Sequence, residues 1–186
     1  MFKLRCITDS IVAGAALCAL CVLPLNAQDS FSPYVDDKGN FSFPDDFRIN
    51  LVHLGSWFVP EGGASGFHDV YTEKETAEAY RKTGEFPDGA TLVKELRAAK
   101  AGDYTTGVGV NHATGELKQW FVMIKDTQGR FPENPLWGDG WGWALYKPDN
   151  PSLNVAADYK ADCLGCHVPA RDTDLVYVEA YPTLSK

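Results

Sequence analysis

Two cysteines and a histidine near the end of the chain form its most distinctive chemical group. Cys163 and Cys166 are separated by two residues, and His167 follows directly. This C-x-x-C-H spacing is the attachment pattern of a c-type haem, because each thiol can add to one vinyl group on the same edge of the porphyrin. The adjacent imidazole can then bind the iron from one side of the ring. We therefore expect one covalent haem c with His167 as its proximal ligand.

Two other kinds of site share part of this pattern. A C-x-x-C redox pair usually opens a helix in a thioredoxin-like βαβ unit, and the sequence around Cys163 shows no such unit. A structural zinc site needs four ligands, and the three other cysteines, Cys6, Cys18 and Cys21, all precede residue 28.

The first 27 residues are typical of a Sec-type signal peptide. A short basic start is followed by the apolar run 11–23 and by a stretch that ends in Ala27. The alternative is a membrane anchor, but the run is shorter than the ~20 residues that a spanning helix needs. We expect cleavage after Ala27 and a periplasmic location in a bacterium. Export agrees with the haem motif, because c-type haem is attached after export.

The charge of the chain narrows the classes of partner. It has 17 basic and 25 acidic residues and a formal net charge of −8. An acidic surface argues against binding to nucleic acid or to anionic membranes, and after cleavage no membrane span is expected. It would suit a basic redox-partner cytochrome, although the same charge also serves solubility.

The pattern of apolar residues and turns predicts an α+β, mainly β fold. Residues 28–46 are polar and predict an extended N-terminal arm, and residues 47–186 are long enough for one haem domain. We expect an antiparallel sheet with a few helices on one side and a C-terminal haem-attachment helix. The predicted strands are 48–59, 66–71, 91–98, 103–110, 118–125 and 141–146, with a long loop over 126–140.

Two helices are predicted between and after these strands. The first begins at Thr72 as N-cap, with Glu75 as its capping-box partner, and ends at Gly84. The second covers 156–167 and carries the haem motif. Segment 91–98 fits a strand or a helix, so its structure stays open at this point.

Several longer strings of the chain resemble the cytochrome P-460 family, which includes the cytochromes c′-beta. The resemblance spans residues 47–184 and implies a mainly antiparallel β fold, a homodimer and one c-type haem. It also implies a distal side that is open to small ligands such as hydroxylamine, NO and CO. The strings are Gly66–Tyr71, Tyr80–Gly89, Leu92–Leu96, Trp120–Asp126, Trp137–Trp143 and the late haem motif closed by Tyr181-Pro182.

Lys94 is the second candidate site residue. If 91–98 is a strand, Leu92, Lys94 and Leu96 point to one face. A lysine on a buried face has a lowered pKa, because burial disfavours its charged form, and a neutral amine is a nucleophile. The resemblance implies that Lys94 is the lysine that cytochromes P-460 link to a haem meso carbon. The alternative is that Val93 faces inward and Lys94 faces solvent.

The sixth position of the iron has no clear protein ligand in the sequence. His53, His68, His112 and Met123 are candidates, but nothing in their spacing requires ligation, and the resemblance favours an open distal site. We expect the aromatic residues Trp57, Phe58, Trp120 and Phe121 to line the pocket.

A distal carboxylate is the feature that the sequence lacks. Hydroxylamine-oxidising members of the family place one near strand 120–124, where this chain has only apolar residues, with Glu116 before and Asp126 after. Deprotonating hydroxylamine needs a base within hydrogen-bond reach of the ligand. The absence of this carboxylate counts against the enzyme hypothesis, and an apolar pocket suits NO binding instead. A haem-dependent hydroxylamine or NO oxidoreductase is the first of three hypotheses for the function. The others are a gas-binding cytochrome without turnover and, third, a simple electron carrier.

Overall fold

The computed structural model describes residues 31–186 and contains one seven-stranded antiparallel sheet. The strand order is β1-β2-β3-β4-β6-β5, and β7 pairs with the other part of β6. This confirms the predicted α+β, mainly β fold. The predicted signal peptide, residues 1–27, lies outside the described residues. The strands are β1 (Val52–Val59), β2 (Gly66–Thr72), β3 (Thr91–Tyr104), β4 (Gly107–Lys125), β5 (Trp137–Gly138), β6 (Trp141–Lys147) and β7 (Asn150–Asn154).

Strands β3 and β4 form a hairpin that is longer than predicted. The sequence predicted separate strands at 103–110 and 118–125, but β4 runs without interruption from Gly107 to Lys125. Its first half pairs with the end of β3, where Ala99 lies opposite Ala113. This part is largely exposed, and the side chain of Val108 is 88% exposed. Backbone pairing continues there without the alternation of apolar residues that a half-buried strand shows, so the pattern did not reveal it.

Three shorter elements also differ from the prediction. The strand predicted from residue 48 begins at Val52, because the short helix α1 (Phe47–Asn50) precedes it. Phe47 is only 2% exposed, so this turn carries a core side chain inward. Strand β5 lies within the predicted loop 126–140, and β7 was not predicted.

Helix α2 (Lys74–Thr83) ends as predicted but does not begin as predicted. Gly84 follows it with φ 82°, a left-handed conformation that suits glycine. Thr72 is not the N-cap, because it is the last residue of β2, and its hydroxyl donates to the Thr91 carbonyl (2.7 Å). Glu73 occupies the N-cap position, and its carboxylate accepts hydrogen bonds from the Thr91 N–H (3.0 Å) and the Thr76 hydroxyl (2.9 Å). These contacts fasten the helix to the start of β3.

The sheet buries side chains on both faces. One face packs against α2 and the C-terminal residues 159–184. The opposite face is covered by α1 and by aromatic side chains from residues 31–43. Residues 31–46 were predicted as part of an extended arm, and they contain the bridge Val35–Phe41 and pack against this face. The second core contains Val93, Val122, Ile124, Ala144 and Tyr146, with Phe31, Tyr34, Phe41 and Phe43 at its edge.

The C-x-x-C-H motif lies in a helical region, as predicted, but this region begins at Lys160 rather than at residue 156 and continues past His167. A π-helical turn, Lys160–Leu164, continues as the short helix α3 (Gly165–His167) and then as the 3-10 segment Val168–Thr173. The chain then returns over β1, where the Ala180 carbonyl approaches Gly55 so closely that a Cβ there would lie 2.1 Å from it. No helix within residues 31–186 combines the length and apolar character needed to cross a membrane.

Candidate functional site

The two cysteines and the histidine of the motif line one large cavity. It lies between the sheet and the C-terminal region and has a volume of about 490 Å³. Its size falls within the range of ~300–1,000 Å³ that is usual for ligand and cofactor sites. The walls are mainly apolar and come from β1, β2, β3, β4 and β6 as well as from the motif. Wall residues used below are Trp57, His68, Lys94, Phe121, Met123 and Asp162.

His167 is held in a defined orientation and tautomer. Its Nδ1 lies 2.8 Å from the carbonyl oxygen of Leu175. Because a carbonyl oxygen only accepts, Nδ1 carries the proton and Nε2 keeps the free lone pair. Burial lowers the pKa of His167 to about 4, so the imidazole is neutral near pH 7. The ring of Trp143 packs edge-on against it, with 4.9 Å between centroids. A neutral imidazole with a donated Nδ1–H is the usual form of a metal-bound histidine.

The two thiols differ in their surroundings. Cys163 is buried and Cys166 is exposed, and neither forms a disulfide. Burial raises the pKa of the Cys163 thiol to about 11. At the exposed end, the Tyr177 hydroxyl donates to the Cys166 carbonyl (2.6 Å) and fixes the turn. A group bonded to both sulfurs would have one attachment inside the cavity and the other at its rim.

Lys94 faces the cavity, as the strand alternative predicted. Residues 91–98 belong to β3, and Leu92, Lys94 and Leu96 line the cavity, whereas Val93 is buried on the opposite face. The Lys94 side chain borders the cavity, and its amine is buried. Burial lowers the pKa of Lys94 to about 8, and nearby Cys166 and Cys163 partly oppose this shift.

No carboxylate compensates the Lys94 amine within the described part of the chain. The amine instead lies over an aromatic ring, with Nζ 4.0 Å from the centroid of Phe121. The ring face offers a modest electrostatic attraction but no hydrogen-bond acceptor. The amine therefore enters the cavity with its nitrogen available for chemistry.

Comparison with known families identifies the kind of protein. The family model described as Cytochrome P460 matches residues 44–178, which is well over half of the chain. The chain belongs to the cytochrome P460 family. The resemblance inferred from the sequence is thereby confirmed, and the protein is a haem cytochrome. The matched range includes Lys94, Cys163, Cys166 and His167. A search among curated proteins gave no match.

The cavity of this cytochrome P460 fits a haem in chemical terms. Its walls are mainly apolar, it has two thiols two residues apart, and His167 offers a neutral Nε2. The hydrogen bond from Nδ1 to the Leu175 carbonyl would hold this imidazole in the orientation that binding to iron needs. Cys163, Cys166 and His167 are the residues that would hold the group.

Two of the four aromatic residues predicted to line the cavity do so. Trp57 and Phe121 line the cavity, but Phe58 and Trp120 do not. Phe58 is 41% exposed and packs on Phe67, and Trp120 lies on the opposite face of the sheet. The prediction was wrong for these two residues because neighbours on a strand point to opposite faces.

The cytochrome's other candidate ligands are distributed over different regions. His68 and Met123 line the cavity. His53 lies beside Asp69 (3.3 Å) at the edge strand, and His112 contacts Tyr104 (3.2 Å) on the exposed hairpin. Neither of these two histidines borders the cavity.

His68, which the sequence analysis considered only as a possible iron ligand, brings a basic imidazole to the cavity. Its Nε2 lies 2.7 Å from the Ala64 carbonyl, so Nε2 carries the proton and Nδ1 keeps a lone pair. Burial lowers the pKa of His68, and the charge of Lys94 acts in the same direction. His68 and Val70 lie on the same face of β2, and Val70 pairs with Lys94 on β3, so the pairing of these strands brings His68 to the cavity.

Carboxylates contribute little to the cavity wall. Among the described residues that line it, Asp162 is the acidic one, and its Oδ2 accepts from the N–H groups of Ala157 (2.8 Å) and Asp158 (3.1 Å). These hydrogen bonds lower its pKa. Asp126 lies elsewhere, where it binds Arg130 (2.6 Å), and Glu116 is exposed.

Proposed function

We propose that this cytochrome carries one haem c, joined by thioethers to Cys163 and Cys166 and ligated by His167, and that it oxidises hydroxylamine. The observation that carries the proposal is the uncompensated Lys94 amine in the same cavity as the motif. We further propose that it acts after export to the periplasm, as a homodimer. Its acidic composition suits electron transfer to a basic redox-partner cytochrome.

Lys94 supplies the third attachment of the haem in this proposal. A pKa of about 8 leaves part of the amine neutral and nucleophilic near neutral pH. A bond from Nζ to a haem meso carbon would replace one N–H and the meso C–H, and the two electrons and protons released would pass to an oxidant such as peroxide. Lys94 would then hold the ring at a third point, and this attachment would change the electronic properties that the haem supplies for redox chemistry.

The protein supplies binding, exclusion of water and proton transfer around the substrate. When bound, the haem offers an open coordination position and accepts electrons one at a time. Phe121 and Met123 provide an apolar wall that limits water in the cavity. His68 is the base that we assign, because its Nδ1 lone pair is free to accept a proton from hydroxylamine. It would take the role of the carboxylate that strand 120–124 lacks.

Gas binding without turnover is the second candidate function. It is favoured by the apolar wall and by Asp162, whose carboxylate is already bound to two backbone N–H groups. Such a pocket would bind NO or CO through size and exclusion of water. A simple electron carrier ranks third, because it would need a strong sixth ligand from His68 or Met123.

Hydroxylamine turnover tests the proposal. Purified protein with an artificial electron acceptor should oxidise hydroxylamine, and Lys94→Leu should lose most of this activity while keeping its thioether-bound haem. Lys100→Leu, a change at an exposed site on the same strand, should behave like the parent. Absence of turnover together with reversible NO and CO binding would favour the second function. A low-spin, six-coordinate ferrous spectrum would favour the carrier, and haem that extracts into acid acetone would exclude covalent attachment.

A further inference from the structure

The carbonyl that orients His167 belongs to an unfavourable backbone turn. Asp174 has φ 59° and Leu175 has φ 63°, so two successive residues with side chains adopt the left-handed conformation. Sterics disfavour this region for residues other than glycine, and a branched hydrophobic residue such as leucine rarely adopts it. Residues held in this way persist only where the surrounding structure fixes them, and they concentrate at functional sites.

An ion pair from the sheet fixes this turn. The Lys125 ammonium at the end of β4 lies 2.8 Å from the Asp174 carboxylate, and its side chain is only 13% exposed. The indole N–H of Trp141 donates to the Asp174 carbonyl (3.0 Å), and Lys125 Nζ lies 4.9 Å from the centroid of the same indole. Gly140 leaves room for this ammonium, since a Cβ there would lie 3.1 Å from it.

The side chain and amide of Leu175 complete the restraint. The side chain is 3% exposed in the core, and its N–H donates to the Ala170 carbonyl (2.8 Å). The remaining polar group of the residue, its carbonyl, is the one that accepts the Nδ1–H of His167 at 2.8 Å. A continuous chain of polar contacts therefore runs from Lys125 on the sheet, through Asp174 and Leu175, to the imidazole.

We infer that Lys125 and Asp174 are positioning residues for the axial ligand: their ion pair holds the left-handed turn that presents the Leu175 carbonyl to His167. This inference rests on the proposed ligation of haem by His167. A firmly held acceptor strengthens the Nδ1–H hydrogen bond and makes the imidazole a stronger donor to iron. A stronger donor favours the ferric state, so the ion pair should lower the reduction potential.

Two substitutions separate the charge from the backbone conformation. Asp174→Asn removes the charge but keeps a residue that tolerates the left-handed region, and Lys125→Gln removes the other partner. Each should raise the midpoint potential and shift the iron–histidine stretch of the ligand-free ferrous protein to lower frequency, as seen by resonance Raman spectroscopy. Lys125→Arg keeps the ion pair and should stay close to the parent in both measurements. Trp141→Phe removes the indole N–H that donates to Asp174, together with ring volume at a fully buried position, and should give a smaller shift in the same direction.

The control is an ion pair on the opposite face of the sheet. Arg48 pairs with Glu95 there, and Arg48→Gln should change neither the potential nor the iron–histidine stretch. If Asp174→Asn and Lys125→Gln lower the melting temperature but leave both haem readouts at the parent values, the ion pair is only structural and the inference is wrong. If these two variants fail to load haem, Trp141→Phe provides the test. An iron–histidine stretch at the parent frequency in that variant would also overturn the inference. A parent protein without a histidine-ligated covalent haem would instead refute the proposed function.

Discussion

Lys94 and Glu95 are adjacent residues of β3 with opposite charges and opposite surroundings. Glu95 points away from the cavity, and its side chain is 3% exposed. Its carboxylate accepts hydrogen bonds from Arg97 (2.6 Å), from Trp120 Nε1 (3.1 Å) and from Arg48. Lys94 points into the cavity and packs on an aromatic ring, with no carboxylate partner among residues 31–186.

The difference shows how to distinguish a structural charge from a reactive one. Burying a charge costs free energy unless partners compensate it, and Glu95 has three partners. The cost at Lys94 is not compensated, and it appears as a pKa lowered to about 8. Perturbed groups in a cavity are candidates for chemistry, whereas a fully paired group stabilises the fold.

Removing the charge of Glu95 should give the largest loss of stability. Glu95→Gln keeps the size of the side chain but leaves the guanidinium groups of Arg97 and Arg48 without their carboxylate. Hydrogen bonds to a charged group contribute about 1.5–3 kcal/mol, and the two arginines left behind are partly exposed to solvent, so the free energy of unfolding should fall by about 2 kcal/mol in guanidinium titrations. The haem absorption spectrum should not change. A shifted spectrum at full stability would contradict the assignment of Glu95 as structural.

Removing the neighbouring Lys94 amine should change the haem spectrum, which the Glu95 substitution should leave unchanged. Lys94→Leu should move the ferrous Soret band from the strongly red-shifted position of a cross-linked haem toward that of an ordinary c-type haem. The thioethers at Cys163 and Cys166 should persist, so haem content should match the parent. Lys100→Leu is the matched control. A spectrum that is identical in parent and Lys94→Leu would place Lys94 with the structural residues.

His68 extends the comparison to a second cavity base and predicts a pH effect. Burial lowers its folded-state pKa below the ordinary value of 6.5. The unfolded chain therefore takes up a proton as the pH falls through about 6.5, while the folded protein resists it, and stability falls. His68→Gln should reduce this loss between pH 6.5 and 5 in thermal unfolding experiments. His53→Gln, at a side chain that is 47% exposed, should follow the parent. An equal acid loss in His68→Gln would contradict the burial of a neutral imidazole.

The smallest loss of stability is expected from substitution of Arg48, the more exposed of the two arginines that pair with Glu95. The side chain of Arg48 is 43% exposed, so solvent screens its interaction and Glu95 still keeps Arg97. Arg48→Gln should lower the free energy of unfolding by about 1 kcal/mol or less. A loss as large as that of Glu95→Gln would mean that the two arginines do not share the carboxylate as the structure indicates.

Local patterns explain which parts of the fold could be predicted from the sequence. The face of Lys94 followed from the leucines at 92 and 96, because alternation on a strand is a local property. The start of α2 did not follow, since Thr72 has the composition of a cap but is used by β2 and bound to Thr91. A tertiary hydrogen bond overrides a local preference there, and no pattern within the segment reveals it.

The site shows the same division between local and tertiary information. The C-x-x-C-H motif is local, and the family match over residues 44–178 includes it. The placement of His68 beside Lys94 depends on the pairing of β2 with β3, and the contact between Lys125 and Asp174 joins residues 49 positions apart. The error at Phe58 and Trp120 came from counting aromatic residues without applying the alternation that had placed Lys94 correctly.

Peptide mapping of the haem-loaded protein tests the central claim most directly. After tryptic digestion, a peptide containing Lys94 should travel with the haem peptide that contains Cys163 and Cys166, and its mass should equal the sum of both peptides and one haem, apart from the hydrogens lost on bond formation. Cleavage after Lys94 should be absent from this product. Quantitative recovery of an unmodified Lys94 peptide from fully loaded protein would contradict the third attachment and leave a haem held by two thioethers and His167 alone.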